Sequence, residues 1–217
     1  ILSDLDELDN TYKFKKRKNI PTYLFHNKKP LIAIWGVGFP RRSYNVKDVS
    51  ELVKEIHKRG YSVMLGTPAR WLPKEGKAFS ADQTELSELI KKCDIVMPWF
   101  VGWYNEKVYP DMKPVIAQHL AWCNKNKVDY APLAFPGFSW KNMYGPNTTQ
   151  MPRNKGRFFW MQLSGALSMG AEMLYIAMFD EIDEGTAIFK CATRVPKSFV
   201  PIDEGLQSDH YLWLVGE

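Results

Sequence analysis

Four carboxylates fall within five residues in the segment FDEIDEGT, Phe179–Thr186: Asp180, Glu181, Asp183 and Glu184. Like charges this close repel unless water, a cation or shifted pKa values relieve them. Crowding of this kind can drive pKa values apart, leaving one carboxyl protonated as an acid and another ionised as a base. Glycoside hydrolysis requires that division of labour. Glu181 and Glu184 are three positions apart. They share a face on a turn and point oppositely on a straight strand. Gly185–Thr186 supplies the turn. Two other readings use the same residues, a solvated acidic loop and a Ca²⁺ site built from oxygens.

Aromatic residues give a second signal. Trp35, Trp71, Trp99, Trp103, Tyr104, Phe138, Trp140 and Tyr144 fall at or beyond the ends of short apolar runs. Flat rings at the rim of a sheet offer an apolar platform to sugar rings, while neighbouring polar groups meet hydroxyls. Core packing is the competing reading for any single ring. Arg41, Arg42, Arg70, Arg153 and Arg157 fall near loop or helix starts. Each reads singly as a surface or salt-bridge residue, with Arg153 and Arg157 as candidate partners for a carboxylate.

The elements that must position these groups form an alternation. Apolar runs of strand length occur at Leu31–Trp35, Tyr61–Gly66, Asp94–Trp99, Tyr130–Phe135 and Met173–Phe179. They lack alternation, as strands of a parallel sheet buried on both faces do. Helical patterns separate them. Val46–Arg59 ends at Gly60, Ser80–Lys92 and Lys113–Asn126 each carry an apolar stripe, and Arg157–Met169 is apolar nearly all round. Tyr23–Phe25, a turn and Leu31 read as a hairpin into the first core strand. Lys197–Ile202 reads as a sixth strand. A βαβα order implies a parallel sheet with helices outside. The chain has no G-x-G-x-x-G turn and no Walker loop, which favours a (β/α)8 barrel over an open nucleotide-binding sheet. The strand count falls short of eight. The chain therefore reads as one domain over 1–217, the C-terminal two-thirds of a barrel whose N-terminal strands are missing. Its first edge would then be open, which implies either association with a missing N-terminal portion or a protein that this chain represents only in part.

Composition bounds the remaining classes. With 217 residues, 45% hydrophobic and 24% charged, the chain has the profile of a folded domain. The net charge of +5 rests largely on the run Lys13–Lys18, so no global field argues for nucleic acid. No apolar run approaches a membrane span. Cys93, Cys123 and Cys191 are far apart and read as three reduced, buried thiols. His26, His57, His119 and His210 do not cluster. Spacing thus gives neither a structural zinc site nor zinc-hydrolase chemistry, and no cofactor or metal is expected. The opening ILSDLDELDN is acidic and lacks the pattern of a signal peptide.

Four segments resemble a known family. Phe179–Lys190 (FDEIDEGTAIFK), Phe135–Asn142 (FPGFSWKN), Pro152–Trp160 (PRNKGRFFW) and Pro98–Tyr104 (PWFVGWY) are similar to bacterial glycoside hydrolase family 71/99-like proteins. These are relatives of the family 99 endo-α-mannosidases. Family 99 carries E-W-H-E-G-T where this chain has Glu181-Ile182-Asp183-Glu184-Gly185-Thr186. Both family glutamates are present, and Ile182 and Asp183 replace the Trp and His between them. The resemblance implies a (β/α)8 barrel and a retaining glycosidase of the secretory, periplasmic or cell-surface route, acting on an α-linked oligo- or polysaccharide. It implies Glu181 and Glu184 as catalytic residues. Substrate contacts are expected from Asp180, Trp35, Trp71, Trp99, Trp103, Tyr104, Trp140, Asn142, Arg153 and Arg157. A carbohydrate-binding relative without catalysis is the alternative.

Overall fold

The computed structural model describes residues 1–17, 23–40, 42–73, 81–192, 194–197, 199 and 204–217. The fold is mixed α/β, and its contacts gather into two compact units. The first comprises Ile1–Trp99 and Ala121–Tyr130; the second comprises Phe100–Leu120 and Ala131–Glu217.

The first unit opens with α1 (Leu2–Tyr12), ended by Lys13 in the left-handed region. Arg59 holds this helix by bonding Asp6 at 2.9 and 3.2 Å. Strands β1 (Phe25–His26) and β2 (Lys29–Trp35) form the expected hairpin. Asn27 and Lys28, both at positive φ, make its two-residue turn, the conformation a tight hairpin demands. Next come α2 (Val46–Lys58), β3 (Ser62–Pro68), α3 (Ala81–Ile90), β4 (Ile95–Trp99) and β5 (Asp129–Tyr130). Asn45 caps α2 by accepting bonds from Lys47 N and Asp48 N, and Gly60, at φ +84°, ends the turn that follows it. β2, β3, β4 and β5 are parallel neighbours in chain order. β3 is central and buried on both faces from Ser62 to Thr67. β2 departs from the expected two-sided burial, because Ala33 and Trp35 are exposed. Beyond Leu31 its outer edge pairs with no strand among the described residues.

The second unit begins with the segment leading into α4 (Tyr109–Asn126), whose last residues belong to the first unit. It continues through β6 (Leu133–Ala134), β7 (Phe138–Ser139), α5 (Trp140–Tyr144), β8 (Gln150–Met151), α6 (Arg157–Ser168), β9 (Tyr175–Ile176) and α7 (His210–Gly216). β6 and β9 are parallel, and β7 and β8 form an antiparallel hairpin. The core gathers Ala134, Phe159, Leu163, Ile188 and Tyr211.

Several expectations are corrected. The run Tyr130–Phe135 is split at Ala131–Pro132, where proline has no N–H for a ladder. Met173–Phe179 contributes only the two residues of β9. α6 is not buried all round, since Trp160 and Leu167 are exposed. The strands lie in one five-stranded and two two-stranded sheets, with no closed barrel among the described residues. The sixth strand at Lys197–Ile202 falls mostly outside the described residues, as does Arg41. No disulfide joins the cysteines; Cys93 and Cys123 are buried, and Cys191 is only half-buried. No helix of the described residues is long and apolar enough to cross a membrane.

Candidate active site

After β9 the chain doubles back on itself. Met178 N donates to Thr186 O at 3.2 Å, Ile188 N to Met178 O at 3.1 Å, and Phe189 N to Phe179 O at 2.8 Å. Asp180–Gly185 form the tip. Thr186 N and Ala187 N both donate to Glu181 O, at 3.2 and 2.9 Å, and Gly185 N donates to Ile182 O at 3.0 Å. The Glu184 N–H donates to Asp183 Oδ1 at 3.0 Å. Gly185 has φ +66°, a conformation that side chains disfavour. The two glutamates therefore sit on a closed turn, as Gly185–Thr186 predict.

Electrostatics set the two glutamates apart from ordinary surface carboxylates. Burial, and then the charge of Asp183, raise the Glu184 carboxyl above its usual range. Glu181 is raised as well, first by a hydrogen bond with Asp183, then by burial and by the charges of Asp183, Glu184 and Asp180. This corrects the expectation of an arginine partner for Glu181. Arg157 pairs with Glu106 at 2.6 Å instead, and its pull holds the Glu106 carboxyl below the usual range. Arg153 is 4% exposed and donates Nη2 to Gly185 O at 2.8 Å and to Ala187 O at 2.6 Å. It braces the backbone of the turn from its buried side, a different place from the substrate-facing one expected.

Further contacts bring aromatic rings to the turn. Ser139 N donates to Glu184 O at 2.6 Å, and the Ser139 hydroxyl caps α5 by accepting from Asn142 N. Trp140 follows Ser139 and packs on Phe138, with ring centroids 4.4 Å apart. The Trp140 ring also covers Gly102, where an added Cβ would lie 3.4 Å from Cζ2. Trp103, next to Gly102, is 47% exposed. Thus Trp103, Trp140, Asn142 and the acidic turn share one neighbourhood, and Asp180 is exposed on that turn.

In the first unit, Trp35 and Trp99 meet edge to face at the C-terminal ends of β2 and β4, 5.5 Å apart, and Arg42 lies over Trp35. Trp71 and Tyr104 are corrected to core residues, 1% and 2% exposed. Trp71 turns inward to meet Trp122, and Tyr104 is ringed by Phe100, Tyr109, Phe135 and Phe158. Neither has a face to offer a ligand. Among the described residues, no three His, Cys, Asp or Glu side chains are placed to hold a metal ion.

Sequence reasoning missed Gln162, Ser139 and Tyr211. Gln162 is buried and braces the chain after β6, with Nε2 donating to Phe135 O at 2.8 Å and Oε1 accepting from Phe135 N at 3.2 Å. Its signal was a lone amide on the apolar stripe of Phe158, Phe159, Leu163 and Ala166. The Tyr211 ring lies 4.5 Å from the Arg153 guanidinium, a contact with no signature in the sequence.

No family model matches the chain. Over 97 residues, 43% of the chain, it is 31% identical to a glycoprotein endo-alpha-1,2-mannosidase-like protein of Danio rerio, 22% of which is covered. It is also similar to the solved family 99 endo-alpha-mannosidase of Bacteroides thetaiotaomicron, at 17% identity and TM-score 0.57, covering 92% of this chain and 65% of that one. The structure of that enzyme in complex with bis-tris-propane aligns at 16% identity and TM-score 0.65, covering 97% and 61%. A glycoside hydrolase-like protein aligns at 14% identity and TM-score 0.62, covering 95% and 58%. The chain spans under two-thirds of each of these proteins. The likeness supports the family 99-like relationship read from the motifs, and at these identities the structural part of it is a likeness of fold.

Proposed function

We propose that this chain carries the catalytic turn of a retaining glycosidase acting on an α-linked glycan, with Glu181 and Glu184 as the working carboxyls. One observation carries the reading. Glu184, an acid kept above its usual range by burial, sits on a turn bonded to the residue before Trp140. A carboxyl shifted toward its protonated form is thus tied, through one backbone bond, to the residue that precedes a tryptophan ring. The similarity in sequence to the endo-alpha-1,2-mannosidase-like protein supports an α-mannoside as the first substrate to test. A secreted, periplasmic or cell-surface location fits such a substrate.

The reaction would run as two displacements at the anomeric carbon. Ionised Glu181 takes the proton of the substrate's 2-hydroxyl as that oxygen attacks the anomeric carbon, giving a 1,2-anhydro sugar. Glu184 gives its proton to the departing glycosidic oxygen. Ionised Glu184 then takes a proton from water, which opens the anhydro ring, and Glu181 returns its proton to the 2-oxygen. Two inversions leave the anomeric configuration retained. Barrel closure by further strands along the outer edge of β2 belongs to the same proposal.

A specific observation favours a second reading, a carbohydrate-binding protein without turnover. Asp183 hydrogen-bonds Glu181 and raises it, which opposes its ionisation as a base. Incubation with α-mannan, α-glucan, xylan and arabinan oligosaccharides, followed by product analysis and calorimetry, separates the two. Cleavage of an α-linked substrate is the expected result; binding without cleavage supports the second reading, and neither binding nor cleavage contradicts both. Trp140→Ala is expected to weaken binding by about 1–3 kcal/mol where the ring stacks on a sugar.

A further inference from the structure

The acidic turn is held from two sides, by Ser139 at Glu184 O and by Arg153 at Gly185 O and Ala187 O. The second brace is unusual in its depth. The Arg153 side chain runs through a slot at Gly137, where an added Cβ would lie 2.7 Å from Arg153 Cγ and 2.8 Å from Met151 O. Its guanidinium ends against the ring of Tyr211, on the first turn of α7. Tyr211 is itself packed in the core with Phe159 and Ile188. A second tie runs nearby, since the Glu204 carboxylate accepts from the backbone N–H of Asn154 at 3.0 Å and from that of Lys155.

Burying a guanidinium is costly, and burial here lowers its pKa. Two carbonyl acceptors and an aromatic face offset part of that cost. Both bonds leave one nitrogen, Nη2, which lies one atom further from the backbone than a lysine ammonium would, and lysine offers no planar face to the Tyr211 ring.

We propose that Arg153 is the positioning residue through which the C-terminal helix α7 holds the acidic turn, in the chain Tyr211 ring, Arg153 guanidinium, carbonyls of Gly185 and Ala187. Arg153 touches no reacting atom in this scheme. It acts by fixing the backbone on which Glu181 and Glu184 stand, so loss of the link exposes Glu184 and returns its carboxyl toward the ordinary range. The kinetic part of the inference rests on the proposed glycosidase reading; the structural part does not.

The test uses the whole chain in three variants, R153K, Y211L and Y211F. Amide exchange is followed at Gly185–Ile188 and, as reference, at Val63–Gly66, together with carbon-13 titration of the Glu184 carboxyl. R153K is expected to speed exchange in the turn by roughly tenfold with the reference unchanged. The Glu184 midpoint should fall. Y211L should do the same to a smaller extent, and Y211F, which keeps the ring, should match the parent. On an α-mannan oligosaccharide, kcat of R153K should drop by about 10²-fold with KM nearly constant, as a shift of roughly 1 Å would cause. The inference is overturned if R153K leaves exchange and titration at parent values. It is equally overturned if turn and reference loosen together, or if Y211L behaves as the parent. A protein that cleaves no glycan leaves the exchange and titration results fully decisive, so failure of the link and failure of the glycosidase reading are told apart.

Discussion

In the first unit, Leu31–Trp35 pairs residue for residue with Ser62–Gly66, and Met64–Pro68 with Ile95–Trp99. In the second, each described ladder is two residue pairs long, and side chains add braces to the backbone bonds that close its turns. Gln162 braces Phe135, Arg153 braces Gly185 and Ala187, and Ser139 orients α5. A ladder fixes its strands whatever the side chains are, provided the faces stay apolar. Side-chain braces can hold a turn that repels itself, such as Asp180–Glu184, but each brace is a single point of failure. The two units should therefore fail by different substitutions.

The largest effects come from removing what each unit depends on. Leu65→Ala in β3, fully buried, should cost about 2–5 kcal/mol in urea unfolding through lost burial and a cavity. Gln162→Leu keeps an apolar volume and removes both bonds to Phe135. Leaving that buried N–H and C=O without partners should cost about 2–4 kcal/mol. A Gln162→Leu protein as stable as the parent would break the comparison.

A pair of glycines sharpens it. A Cβ at Gly137 meets the Met151 carbonyl and the Arg153 stem, neither of which can yield, so Gly137→Ala should cost about 1–3 kcal/mol. A Cβ at Gly66 meets the ring of Trp35, which is half exposed and can swing away. Gly66→Ala should cost less than Gly137→Ala by thermal unfolding, and the reverse order would mean that β2 and β3 are the more tightly constrained.

The smallest effect is one of sign. Asp6 lies below its ordinary 3.8, first through its hydrogen bond with Arg59. Its contribution is present above that ordinary value and is lost as pH falls through the lowered one. Glu184 lies above its ordinary 4.5, first through burial. The stability of its turn is fullest below that value and is lost as pH rises through the raised one. Amide shifts across about pH 3 to 7 should show α1 loosening on the acid side and the turn loosening on the other. Glu184→Gln should reduce only the second response, leaving the part carried by Glu181, which is raised as well.

The same contrast explains how much was legible in the sequence. β2 to β4 and α2 were readable because apolar runs, Asn45 and Gly60 encode them locally. The acidic turn was readable because Gly185 and crowded carboxylates announce it. Trp71 was misread because its place after a strand does not say which way the chain turns, and it turns inward. Arg153 was misread because its acceptors lie 32 and 34 positions away, on backbone that no residue type reveals. The short strands β7 and β8 were missed because two-residue ladders leave no periodic pattern.

In the proposed reaction Glu181 and Glu184 divide the proton transfers between them. The direct measurement is kcat for Glu181→Gln and Glu184→Gln on an α-mannan oligosaccharide and on the matching glycosyl fluoride, whose leaving group needs no proton. Each variant should lose about 10² to 10⁴ in rate on the oligosaccharide while still binding it. The fluoride should restore much of the Glu184→Gln rate and little of the Glu181→Gln rate. Near-parent turnover by both variants on the oligosaccharide would contradict the account and leave the turn a solvated acidic loop.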